Sequence, residues 1–118
     1  MMGIQAWSFA VDEDDFVIAE GPTGTDDNIR LTIETLIIPF GTRAASAETY
    51  LREWRRMSRE FEHEYTLGTS GASAKRIDAS RVEIGDMYGQ FETCTMSVDD
   101  FERALECLIQ FLSAHAIK

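Results

Sequence analysis

Four carboxylates in a row, Asp12, Glu13, Asp14 and Asp15, followed by Asp26 and Asp27, form the densest group in the chain able to hold a cation. Carboxylates bind calcium when acids alternate along a loop with a central Gly and a terminal Glu. DEDDFVIAEGPT lacks that Gly, so no metal is expected there. The two histidines, His63 and His115, have neither a second His nor a Cys at ligand spacing, and HExxH is absent. Cys94 and Cys107 are far apart in sequence and form no CxxC, which points to small packing residues rather than a zinc site or a disulfide framework. No GxSxG is present, and GPTGT (21–25) and GTSG (68–71) do not continue into GK[ST], so both read as turns. No catalytic residue and no cofactor are expected.

What remains is charge. The chain has 118 residues and a net charge of −10, the size of one ordinary domain, 1–118. Residues 1–29 hold Asp12, Glu13, Asp14, Asp15, Glu20, Asp26 and Asp27 and no Lys or Arg. Carboxylates crowded in this way repel one another, repel phosphates and anionic headgroups, and attract a basic protein. Nucleic acid and membrane are therefore not expected as partners. A positive surface such as the phosphate-binding cleft of a nuclease is, with Asp12, Glu13, Asp14, Asp15, Asp26 and Asp27 as its partner-binding residues.

Arg52, Arg55, Arg56 and Arg59 could form an anion contact. The same segment carries Glu48, Glu53, Glu60, Glu62 and Glu64, so residues 47–65 net −1. A solvated face laced with ion pairs is the simpler reading, and whether these arginines contribute to binding is left open by the sequence.

The elements that must position these groups follow from periodicity. Ile4–Val11 and Phe16–Ala19 read as a hairpin whose tip is the acidic run, since adjacent like charges are tolerated only at a solvated turn. Gly21–Asn28 is dense turn chemistry. Ile29, Leu31 and Ile33 alternate with polar residues, which predicts a third strand ending at Pro39 and Gly41. In such a meander the two acidic turns lie at opposite ends of the strands.

Ser46 is the expected N-cap of a long helix to about Tyr65, with Tyr50, Trp54, Met57, Phe61 and Tyr65 along one stripe. Thr66–Ala74 reads as a loop. Lys75–Ile84 and Met87–Met96 read as strands joined around Gly85-Asp86. Ser97 caps a last helix whose stripe is Phe101, Leu105, Leu108, Ile109, Leu112 and Ala116. The expected fold is α+β, in the order β-β-β-α-β-β-α, with a mainly antiparallel sheet packed against two helices. MMGIQAWSFAVDEDD has no basic start and apolar core of a signal peptide, and the longest apolar run is far too short to span a bilayer. A cytoplasmic location is expected.

A small acidic α+β chain without catalytic residues, with NIRLTIETLIIPF followed by the Tyr-Leu-x-x-Trp helix of SAETYLREWRRM, resembles the bacterial immunity proteins of contact-dependent growth inhibition and related polymorphic toxin systems. The resemblance implies stoichiometric binding and neutralisation of a cognate toxin domain with a basic surface, without catalysis. The alternative is a secretion chaperone or dimeric adaptor, which needs an exposed apolar groove and a homodimer. A small enzyme or ligand-binding domain would require a pocket. The sequence does not decide between monomer and homodimer.

Overall fold

The computed structural model describes residues 7–62, 64–86 and 89–115. The expected beginning of the first strand at Ile4, His63, Met87, Tyr88, Ala116 and the side chain of His115 lie outside the described residues. The fold is α+β, and the described residues form two antiparallel sheets and three α-helices. Its order is β1 (Ser8–Val11), β2 (Val17–Glu20), α1 (Asp27–Ile37), a 3-10 turn (Ile38–Phe40), α2 (Ala44–Phe61), β3 (Tyr65–Gly68), β4 (Ala72–Arg76), β5 (Arg81–Asp86), β6 (Cys94–Ser97) and α3 (Val98–His115). β1 and β2 form a separate hairpin, and β3-β4-β5-β6 form a four-stranded meander. This corrects both the expected element order and the expectation of a single sheet.

The largest correction is α1, expected as a third strand. Ile29, Leu31 and Ile33 fit a period of two, but Ile29, Ile33, Leu36 and Ile37 fit 3.6 and carry the apolar face, with Ile33, Leu36 and Ile37 buried. Asp26 caps the helix by accepting from Asn28 N–H at 2.7 Å. Two buried threonines on the same face satisfy their hydroxyls within the helix, Thr32 on Asn28 C=O and Thr35 on Leu31 C=O. β-Branched residues disfavour an isolated helix, so burial against both sheets decides the outcome.

α2 begins at Ala44 rather than after Ser46, and ends at Phe61. Tyr65, expected as the last residue of its stripe, instead opens β3 and packs its ring edge-on to Trp54, centroids 4.9 Å apart. Trp54 also meets Phe101 at 4.8 Å, which ties α2 to α3. Phe61, expected in the core, is 51% exposed.

The expected loop Thr66–Ala74 holds most of β3 and the start of β4. The turn before β4 and the start of β4 are built of small residues because α1 comes close. A Cβ on Gly71 would stand 2.4 Å from the Thr35 carbonyl oxygen, and Ala72 and Ala74 are fully buried. Thr69 hydroxyl donates to Leu36 C=O at 2.9 Å, fixing that turn to the end of α1. Lys75–Ile84 is not one strand: Asp78 Oδ1 accepts from Ser80 and Arg81 N–H and turns the chain between β4 and β5. Gly85-Asp86 closes β5 instead of making a turn, and of the expected Met87–Met96 strand only Cys94–Met96 is in β6. Ser97 does cap α3, its hydroxyl accepting from Asp100 N–H at 3.0 Å, and Phe101, Leu105, Leu108 and Leu112 are buried as expected.

α1 stands between the two sheets and binds both with side chains that mimic a neighbouring strand. Asn28 donates to Glu92 C=O (2.8 Å) and accepts from Glu92 N–H (2.9 Å), just before β6. On the hairpin side, Glu34 accepts from Ala19 N–H (2.8 Å) and Arg30 reaches Ala19 C=O (3.5 Å). The inner face of the hairpin is completed by Phe9, whose ring meets Phe111 of α3 at 6.3 Å.

Candidate protein-binding surface

The acidic run occupies the tip of the β1–β2 hairpin, where the alternation placed it. Asp15 N–H donates to Asp12 C=O at 3.1 Å, and Asp12 N–H to Phe16 C=O at 2.9 Å, so three residues bridge the strands. Asp12 also turns its carboxylate inward: Oδ1 accepts from Asp14 N–H (2.8 Å) and Phe16 N–H (2.9 Å). Asp12 therefore shapes the turn, while Glu13, Asp14 and Asp15 are exposed. Asp15 adopts φ 66°, a left-handed conformation at a position where glycine is the unstrained choice. Among the described residues no ion pair reaches Glu13, Asp14 or Asp15, and residues 1–29 hold no Lys or Arg.

Asp26 and Asp27 lie beyond the other end of β2, so the hairpin separates the two acidic groups. Asp26 is committed to capping α1 and Asp27 to its first turn, where a negative charge suits the helix dipole. Asp26 also lines an open cleft of about 410 Å³ with Trp7, Ile29, Met96 and Asp100. The structure thus groups Glu13, Asp14 and Asp15 at the exposed tip, leaves Asp26 and Asp27 exposed beyond the other end of β2, and gives Asp12 and Asp26 local hydrogen-bonding roles.

Two neighbours of the tip escaped the sequence reading as contact residues. In β2, Val17 and Ala19 face inward and are buried, while Ile18, and Phe16 just before the strand, are 42% and 56% exposed. Ile18 pairs with Ala10 across the hairpin, itself exposed. The outer face of the hairpin is therefore apolar directly below its acidic tip. The signal was present in the two-residue period: four consecutive apolar residues in a strand covered on one side must put two of them outside.

Elsewhere the reactive groups have structural occupations. Arg55 bridges Glu102 (3.2 Å) and Glu106 (2.6 Å), and Arg56 bridges Glu53 (2.6 Å) and Glu60 (2.5 Å). Arg52 donates to Thr49 Oγ1 at 3.2 Å. Burial raises the Cys94 thiol above its ordinary range, outweighing the lowering effect of the Thr32 hydroxyl 3.3 Å away, the opposite of an activated nucleophile. A second open cleft, about 540 Å³, is lined by Phe40, Tyr50 and Leu67. Its Tyr50 hydroxyl is bound to Leu67 C=O at 2.7 Å, and burial, assisted by Tyr65, pushes its pKa far up. Tyr50 is thereby a lock between α2 and β3, unsuited to proton transfer near neutrality. Among the described residues no three His, Cys, Asp or Glu side chains converge as a metal site, and no helix is long and apolar enough to cross a membrane.

No protein-family model matches the chain, and neither the curated proteins nor the solved structures contain a match to it.

Proposed function

We propose that this chain is a binding protein of the immunity type, which neutralises a toxin domain with a basic surface, such as a nuclease, by masking it rather than by catalysis. The observation that carries this reading is the hairpin tip. Glu13, Asp14 and Asp15 project from a turn held by Asp12, in a stretch of chain that contains no cation. Exposed carboxylates held in one rigid place steer a cationic partner and accelerate its association. Asp26 and Asp27, beyond the far end of β2, widen the negative face.

The test leaves Asp12 in place, because its carboxylate holds the turn. The triple variant Glu13→Gln, Asp14→Asn, Asp15→Asn is compared with the unaltered chain for association with a basic nuclease toxin domain. The on-rate at low salt should fall about tenfold. An unchanged on-rate removes the tip from the mechanism. A homodimeric adaptor is the second reading, favoured by the exposed Phe16, Ile18 and Phe61. Light scattering separates the two, since the adaptor requires a stable dimer in the absence of any partner.

A further inference from the structure

We infer that the outer face of the β1–β2 hairpin is the anchor of the interface, and that it fits a partner protein presenting an apolar socket bordered by Lys or Arg. The inference rests on the protein-binding reading above and adds to it a second, non-electrostatic contact. Ile18 of β2 and Phe16 just before it, more than two fifths exposed, alternate with buried Val17 and Ala19, and Phe16 continues the pairing by accepting from Asp12 N–H. Register sets Ala10 beside Ile18, so the apolar surface is continuous across both strands.

This surface is framed by charge at both ends. Glu13, Asp14 and Asp15 stand above Phe16, and Glu20, paired with Ser8, stands below Ile18. An apolar centre within a charged rim is the composition of an interface hot spot, where desolvation of the centre supplies affinity and the rim supplies orientation. The rim also selects the occupant. Anionic lipid and nucleic acid are repelled by it. Two copies of the chain, face to face, would set carboxylates against carboxylates: tip against tip if parallel, tip against Glu20 if antiparallel. A cationic protein surface meets no such conflict.

The face is held ready for contact. Asp12 fastens the turn at one end, and at the other Ala19 is gripped through both backbone groups by Glu34 and Arg30. Little ordering is left for binding to impose, which favours affinity.

The experiment titrates the full chain by heteronuclear NMR with three synthetic peptides of equal length. One alternates Lys with Leu and Phe, one alternates Lys with Ser, and one alternates Glu with Leu and Phe. The Lys/Leu/Phe peptide should shift amide signals of residues 8–20 and bind about tenfold more tightly than the Lys/Ser peptide, the scale of one hot-spot contact. The Glu peptide should not bind. The double variant Phe16→Ala, Ile18→Ser should abolish that tenfold gain, and both positions are exposed, so the fold survives the change. The tip variant should weaken both cationic peptides alike. Equal binding of the two cationic peptides, or a gain that survives the double variant, overturns the anchor and leaves the acidic steering intact. Failure of both cationic peptides to bind overturns the protein-binding reading itself. Self-association in sedimentation that disappears in the double variant would assign the face to a second copy and overturn the inference.

Discussion

Along the α2–α3 surface, Glu102 accepts from the indole N–H of buried Trp54 at 3.0 Å and from Arg55 Nε at 3.2 Å, while Glu106 takes the other arm of Arg55. At the hairpin tip, Glu13, Asp14 and Asp15 carry the same functional group with no ion pair among the described residues, and one of them sits in a left-handed conformation. The first arrangement joins two helices and satisfies a donor that would otherwise be stranded in the core. The second contributes nothing of that kind to the fold and sets like charges side by side. The Glu102 and Glu106 carboxylates of α3 are bonded into the fold, and those of the tip are not, which is the difference that the proposed binding role draws on.

Breaking the comparison on its structural side should give the largest effect. Glu102→Ala strips the acceptor from Trp54 Nε1, and urea unfolding should show a loss of about 1–3 kcal/mol, the cost of an unsatisfied buried donor. The tip variant Glu13→Gln, Asp14→Asn, Asp15→Asn should leave stability within about 0.5 kcal/mol. If the tip variant is the more destabilised of the two, the contrast is wrong. Next in size is the salt response of association. The on-rate of the unaltered chain should fall steeply as ionic strength shortens the Debye length from about 30 Å at 0.01 M to about 8 Å at 0.15 M. That of the tip variant should change far less, and stopped-flow measurements at the two salts decide it.

A single substitution sharpens the contrast further. Asp15→Gly removes one charge and relieves the left-handed strain, so thermal unfolding should show a gain of about 0.5–1 kcal/mol alongside slower association. A loss of stability would mean that Asp15 is held for the fold after all.

The smallest effect concerns Asp78, an exposed carboxylate that does have a partner. The Arg81 guanidinium, with the backbone N–H groups of Ser80 and Arg81, holds its pKa down to about 2. A folded-state value below the unfolded value of about 3.9 means stability present above pH ~4 and lost as pH falls toward ~2. Carbon-detected titration should find this depression, and Arg81→Gln should move the midpoint upward.

How much could be read in advance follows the same physics. The hairpin, the acidic tip, α3 and its Ser97 cap were legible because each is a local pattern with a local cause. α1 was not, because its residues satisfy two periods at once, and what selects the helix is burial between two sheets that the sequence does not display. β3 and β4 were hidden for another reason. At the start of β4 the residues are small to admit α1, as the approach of Gly71 to Thr35 demonstrates, and smallness carries no strand propensity; β3, which pairs with β4, went unread with it. The charged half of the candidate surface was therefore visible in the sequence. Its apolar half, Phe16 and Ile18, needed only the knowledge that β2 is covered on one side.

The grip of Glu34 and Arg30 on Ala19 has an effect beyond holding the hairpin in place. An uncovered strand border invites extension of the ladder by a second molecule, the first step of strand exchange and aggregation. Here the amide and carbonyl at the middle of that border are already taken by α1. Growth from this side is blocked, and the molecule can expose phenylalanine and isoleucine on the adjoining surface without polymerising through it.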